Sequence, residues 1–149
     1  MSTSERAFAG TAAQVGEARR WAARRLADAG VPEDTADTAA LCVSELATNA
    51  VKYTLSGIES GRFRVRVITT RGVRLRIEVR DEGPLPGRPV AARTAADPLA
   101  DGGRGLLLVR ELAAESGGDG SVRWFRMPWQ DPAAVPAPAR SPEEAGVLW

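Results

Sequence analysis

Leu41-Cys42-Val43-Ser44-Glu45-Leu46-Ala47-Thr48-Asn49-Ala50-Val51 decides how this chain is read. Its apolar residues belong to a longer pattern, Ala36, Ala39, Ala40, Val43, Leu46, Ala47 and Ala50, that repeats at helical spacing from Pro32 to about Tyr53. Glu45, Thr48, Asn49 and Lys52 form the opposing polar stripe. A carboxylate and a carboxamide four residues apart project from one helix face, about one turn apart. Such a pair can hold a metal ion and a water molecule.

Two further clusters follow in order. Asp81-Glu82-Gly83 ends a predicted strand with a carboxylate and a glycine. Gly102-Gly103-Arg104-Gly105-Leu106 is a glycine-rich turn opening into the apolar run Leu106-Leu107-Leu108-Val109. Backbone N–H groups at the start of such a helix make an anion site. A metal, a base and a phosphate each find a seat, so the three clusters read together as a nucleotide pocket.

Around them the pattern is that of one domain. Thr11 to Ala29 carries Val15, Ala18, Trp21, Ala22 and Leu26 at helical spacing, with Gly30 as the stop. Pro32, Glu33 and Asp34 suit the first turn of the second helix. Phe63, Val65 and Val67 then alternate with Arg62, Arg64 and Arg66, and Val73, Leu75, Ile77 and Val79 with Arg74, Arg76, Glu78 and Arg80. This period of two predicts a hairpin turning near Arg71-Gly72, apolar face on the helices and arginine face outward. Pro84 to Asp101 has no periodicity and reads as a long loop or lid. Gly105 to about Ala114 reads as a short helix and Ser121 to Met127 as a final strand. Trp21, Phe63, Trp124 and Phe125 read as core or sheet-face packing. The expected fold is α+β, a two-layer sandwich with helices on one face of a mainly antiparallel sheet. The domain is expected over residues 1–127, followed by a flexible Pro/Ala-rich tail over 128–149.

Composition narrows the chemistry. The chain has 149 residues, enough for a single sizeable core. It has no histidine and one cysteine, Cys42, which excludes a disulfide, an ordinary zinc site and a Ser-His-Asp or Cys-His nucleophile system. Lys52 is the one lysine among 20 basic residues and follows no G-x-x-x-x-G run, so a Walker A loop is excluded. A eukaryotic-type kinase domain is excluded by the missing His-Arg-Asp loop. The N-terminus lacks the pattern of a signal peptide and no apolar run is long enough to span a membrane, so a cytoplasmic protein is expected. The arginine-rich hairpin face suits solvent, an acidic protein partner or nucleic acid, although a net charge of +1 argues against general nucleic-acid binding.

The three clusters, in this order and on these elements, resemble the N, G1 and G2 boxes of the GHKL (Bergerat) ATPase superfamily. The resemblance runs from about Arg6 to Met127 and is nearest to the anti-sigma-factor serine kinases and their stand-alone relatives, pointing to a high-GC bacterium as source. It implies that ATP and Mg²⁺ bind here. Asn49 would supply the metal's oxygen ligand, and Glu45 would orient or deprotonate the attacking group. Asp81 would accept from the adenine amino group, with Gly83 leaving space for the ring. Gly103 and Gly105 would bring backbone amides to the phosphates, with Arg104 and Leu106 in the same loop and Ser121 near adenine. The partners implied are a sigma factor and an anti-sigma-factor antagonist, with serine phosphorylation of the latter; a homodimer is left open. The alternative is a nucleotide-dependent binding module without kinase activity. Tyr53 stands where the family often has a histidine. With no histidine in the chain, histidine autophosphorylation is excluded.

Overall fold

The computed structural model describes residues 1–86 and 109–131. Strand β1 (Ser2–Ala9) leads into helices α1 (Ala12–Asp28) and α2 (Glu33–Tyr53), then a single 3-10 turn at Leu55–Gly57. Strands β2 (Arg62–Thr70), β3 (Arg74–Arg80), β4 (Glu115–Asp119) and β5 (Val122–Pro128) complete the chain order. Residues 109–112 are helical. All strand pairs are antiparallel, and the sheet runs β1-β2-β3-β5-β4. The fold is the expected α+β arrangement, with both helices feeding one core shared with a single face of the sheet.

Local chemistry sets the helix limits. Thr11 caps α1 in an extended conformation, its side-chain oxygen accepting from the Gln14 N–H. Gly30, at φ +89°, lets the chain reverse after α1 while the Val31 N–H reaches back to the Leu26 carbonyl. Pro32 is the residue before α2 rather than its first, and Glu33 and Asp34 occupy the positive end of the helix. Val15, Ala18, Trp21, Ala22 and Leu26 of α1 are buried, as are Val43, Leu46, Ala47 and Ala50 of α2.

The hairpin β2–β3 forms as its alternation demands. Phe63, Val65, Val67, Leu75, Ile77 and Val79 are buried, and Gly72 turns the chain at φ +70°. Val73 departs from the expected alternation: it lies in the turn and is 54% exposed. Two strands escape the sequence pattern. In β1 only Phe8 is buried, because an edge strand needs few apolar anchors once its register is fixed by β2. Phe8 stacks on Phe63 at 5.5 Å between ring centroids and meets Trp21 edge-on at 5.9 Å. Strand β4 carries Gly117 and Gly118, which read as a turn, yet pair with Trp124 and Arg123 of β5. The Trp124 indole leans so close to Gly117 that a Cβ there would stand 2.8 Å from it.

Three boundaries move. Residues 113 and 114 lie past the helical stretch that was expected to reach Ala114. Ser121 sits in the turn before β5, not on the strand. The packed chain continues beyond Met127: Pro128 ends β5, Trp129 is buried with its N–H on the Val73 carbonyl, and Asp131 pairs with Arg71 at 2.8 Å. The rest of the expected tail, and the expected loop from residue 87 onward, lie outside the described residues.

Phe8 tests whether β1 is integral to the core. Phe8→Ala should cost about 3–5 kcal/mol of unfolding free energy in urea. A loss below about 1 kcal/mol would mean that β1 is a dispensable edge.

Candidate functional site

The site begins on the exposed stripe of α2. Burial of Leu46, Ala47 and Ala50 turns Glu45, Thr48 and Asn49 away from the core, and all three remain only partly covered. Thr48 returns its hydroxyl to the helix, donating to the Ser44 carbonyl at 2.7 Å, so it is occupied locally. Asn49 differs. Its side-chain nitrogen is buried and has no hydrogen-bond partner. A buried orphan donor costs on the order of 1–3 kcal/mol, and such groups in native proteins call for an explanation. The orphan is an N–H donor, so an acceptor such as a phosphate oxygen would complete it, while a cation would be taken by the oxygen of the same carboxamide.

Cys42 lies one turn before Glu45 and is fully buried. Burial, with the nearby Glu45 charge adding to it, pushes its thiol up to about 12. Cys42 therefore stays protonated at neutral pH and serves as a core residue, not a nucleophile. Glu45 and Asn49 are left as the reactive pair of this helix face, with the exposed Lys52 one turn further on.

The second half of the site is fixed by the end of α2. Thr54 follows the helix, donates from its hydroxyl to the Ala50 carbonyl at 2.6 Å, and accepts from the Ser56 N–H at 3.0 Å. The next residues then hold the segment after β3. The Leu55 N–H donates to the Gly83 carbonyl at 3.0 Å, Thr54 bridges to Pro84, and the Ser56 hydroxyl accepts from the Glu82 N–H at 3.1 Å. Glu82 in turn accepts from the Arg62 N–H at 2.9 Å. Thr54 and Ser56 are buried polar residues, and these bonds satisfy them.

Glycines allow this close approach. A Cβ on Gly57 would stand 1.8 Å from the Val51 carbonyl oxygen, and one on Gly10 would stand 1.6 Å from that of Ser56. No side chain fits at either place. The backbone around Ser56 is therefore packed against α2 and the end of β1 without an intervening side-chain layer.

Asp81 is held from two directions. Its N–H donates to the Ser121 carbonyl at 2.9 Å, which sets it opposite the start of β5, and its carboxylate accepts from the Gly83 N–H at 2.7 Å. Only 6% of Asp81 is exposed. Gly83 has φ +102° and open space where a Cβ would stand. A carboxylate in a strand-end turn, beside a glycine with room above it, can accept a hydrogen bond from a flat heterocycle.

The structure thus joins Asp81, Gly83 and Ser121 at one strand end and ties that end to the segment leaving the Glu45–Asn49 helix. Gly103, Arg104, Gly105 and Leu106 lie outside the described residues. Among the described residues no group of three or more His, Cys, Asp or Glu side chains could enclose a metal ion. Sequence reasoning passed over Thr54, Leu55 and Ser56. The available signal was a threonine and a serine crowded with Gly57 and Gly61 just after a helix.

The family model of the histidine kinase-like ATPase domain matches residues 8–123, most of the chain and all the residues discussed above. No curated protein matches it.

Removing the Ser56 hydroxyl should show the tether at work. Ser56→Ala strands the Glu82 N–H, so it should lower stability by about 1–3 kcal/mol in urea. Hydrogen exchange of the Glu82 and Gly83 amides should accelerate while α1 is unaffected. Unchanged protection at both amides would show that the tether does not hold this segment.

Proposed function

The chain belongs to the histidine kinase-like ATPase family, and from that premise we propose an ATP-dependent regulator that controls a protein partner. In this reading it phosphorylates a serine on an anti-sigma-factor antagonist and also binds the sigma factor, in the cytoplasm. The observation that carries the nucleotide assignment is the buried, unpartnered side-chain nitrogen of Asn49, one turn from Glu45 on the helix whose end is tied to Glu82 and Gly83 beside Asp81. A polar group with that desolvation cost is explained when a ligand completes it.

Each residue has a role in this reading. Asn49 offers its amide oxygen to Mg²⁺, a hard cation that prefers such donors. Asp81 accepts from the adenine amino group, Gly83 leaves room for the ring, and Ser121 lies at the same strand end. Gly103, Arg104, Gly105 and Leu106 are assigned to the phosphates by family resemblance alone. Mg-ATP supplies the phosphoryl group and charge neutralisation; the protein supplies position. Glu45 orients the incoming serine hydroxyl and takes up its proton. Phosphoryl transfer needs little else from a protein besides positioning and charge stabilisation. Histidine autophosphorylation has no part in this reading, because the chain has no histidine.

Calorimetry and transfer assays separate the roles. Asn49→Ala should weaken Mg-ATP most, through loss of a metal ligand. Asp81→Ala should weaken ATP and ADP alike and blunt discrimination against GTP. Identical defects in every titration would refute both assignments.

Glu45→Gln should leave ATP affinity nearly intact, because a proton acceptor acts in the transition state. It should lower transfer to a serine-bearing partner by about 10²–10⁴, the usual contribution of a positioned base. Transfer at the wild-type rate would remove Glu45 from the chemistry. A wild-type chain that binds nucleotide and partner but transfers nothing would be a nucleotide-gated binding module.

A further inference from the structure

The face of the sheet turned away from the helices has no covering layer among the described residues. On it the β2–β3 register sets Arg64 directly opposite Arg80, and Val122 of β5 stands beside Arg80. Like charges facing each other across a strand pair destabilise it. The guanidinium groups of Arg62, Arg74 and Arg80 meet no carboxylate among the described residues and that of Arg64 reaches Glu5 only at 3.9 Å, whereas Arg66 is held between Glu5 at 3.4 Å and Glu78 at 3.5 Å. Arg76 is held by Glu78 at 3.1 Å and lies over the Trp124 ring at 4.4 Å. The face therefore combines pre-positioned guanidinium groups with unneutralised ones, and Ile68 and Val122 stand among them only partly covered.

We propose that this sheet face docks an acidic segment of a partner polypeptide, with one carboxylate seated between Arg64 and Arg80, another at Arg74 roughly 20 Å along β3, and its apolar residues on Val122 and Ile68. An anion placed between Arg64 and Arg80 relieves their repulsion, so binding removes a cost the free protein carries. Arginine suits this role better than lysine, because its planar fork grips a carboxylate through two parallel bonds.

Two other occupants fit less well. Nucleic acid held on a sheet calls for open aromatic platforms, and the Trp124 ring is already occupied by Gly117 on β4 and by Arg76. A second copy would bring arginines against arginines. The inference concerns a surface apart from the nucleotide pocket and stands whether or not that pocket is confirmed.

The test uses the full chain and a fluorescein-labelled peptide of repeated Glu-Glu-Leu, read by fluorescence anisotropy. Wild type should bind it with an affinity that falls as salt rises. The double substitution Arg64→Gln with Arg80→Gln should weaken binding by about tenfold or more without lowering the melting temperature, since it removes a repulsive pair. Arg74→Gln alone should weaken binding to a smaller extent. Absence of binding at low salt would overturn the proposal, as would equal affinity for a Lys-Lys-Leu peptide or tighter binding of single-stranded DNA. Binding unaffected by the double substitution would place the peptide elsewhere. Sedimentation showing a wild-type dimer that the substitutions dissociate would assign the face to self-association instead.

Discussion

The links between residues 54–56 and residues 82–84, one a backbone bond within the Thr54–Pro84 bridge and one from the Ser56 hydroxyl, are the constraint on which the rest of the site depends. A helix and a strand end placed by separate parts of a core can drift relative to each other by the slack in their packing. Here the Leu55 N–H, closing the Thr54–Pro84 bridge, and the Ser56 hydroxyl remove that slack. Thr54 and Ser56 are buried, and a bond broken at such a position is costly without water to replace it. Glu45 and Asn49 on one side, Asp81 and Gly83 on the other, are thereby held as a single unit.

Topology supplies the other half of the constraint. β3 lies between β2 and β5, so the residue following β3 faces the residue preceding β5, and Asp81 meets Ser121 through its N–H. The same antiparallel register carries alternate residues of β2 and β3 into the core and sends their arginines to the opposite face. One side of the sheet is thus spent on burying apolar side chains against α1 and α2, and the other remains charged and open. The basic surface is a consequence of covering a sheet on one face only.

What could be read from the sequence divides along physical lines. The helices and the central hairpin were legible because their burial imposes periods of 3.6 and 2 on the side chains, and the Glu45–Asn49 pair follows directly from that helical phase. β1 was not legible, since Phe8 alone anchors it, and β4 was hidden because Gly117 and Gly118 mimic a turn. The tether was hidden for a different reason. Each of its bonds uses a backbone group on at least one side, and Gly10, Gly57 and Gly61 serve it by having no side chain, so nothing periodic marks it. The extension of packing to Asp131 depends on Trp129 and on the Arg71 ion pair, both contacts with the hairpin turn that only the folded chain brings near.

The central claim is that the polar stripe of α2 and the strand end at Asp81 form one nucleotide site. Titration of the ¹⁵N-labelled chain with Mg-ADP, followed through backbone amide and Asn side-chain resonances, addresses it most directly. The account predicts that the Asn49 side chain and the Asp81 and Gly83 amides shift together, along curves described by one dissociation constant. No saturable shift at any of them, or saturation of the two groups at clearly different ligand concentrations, would contradict it.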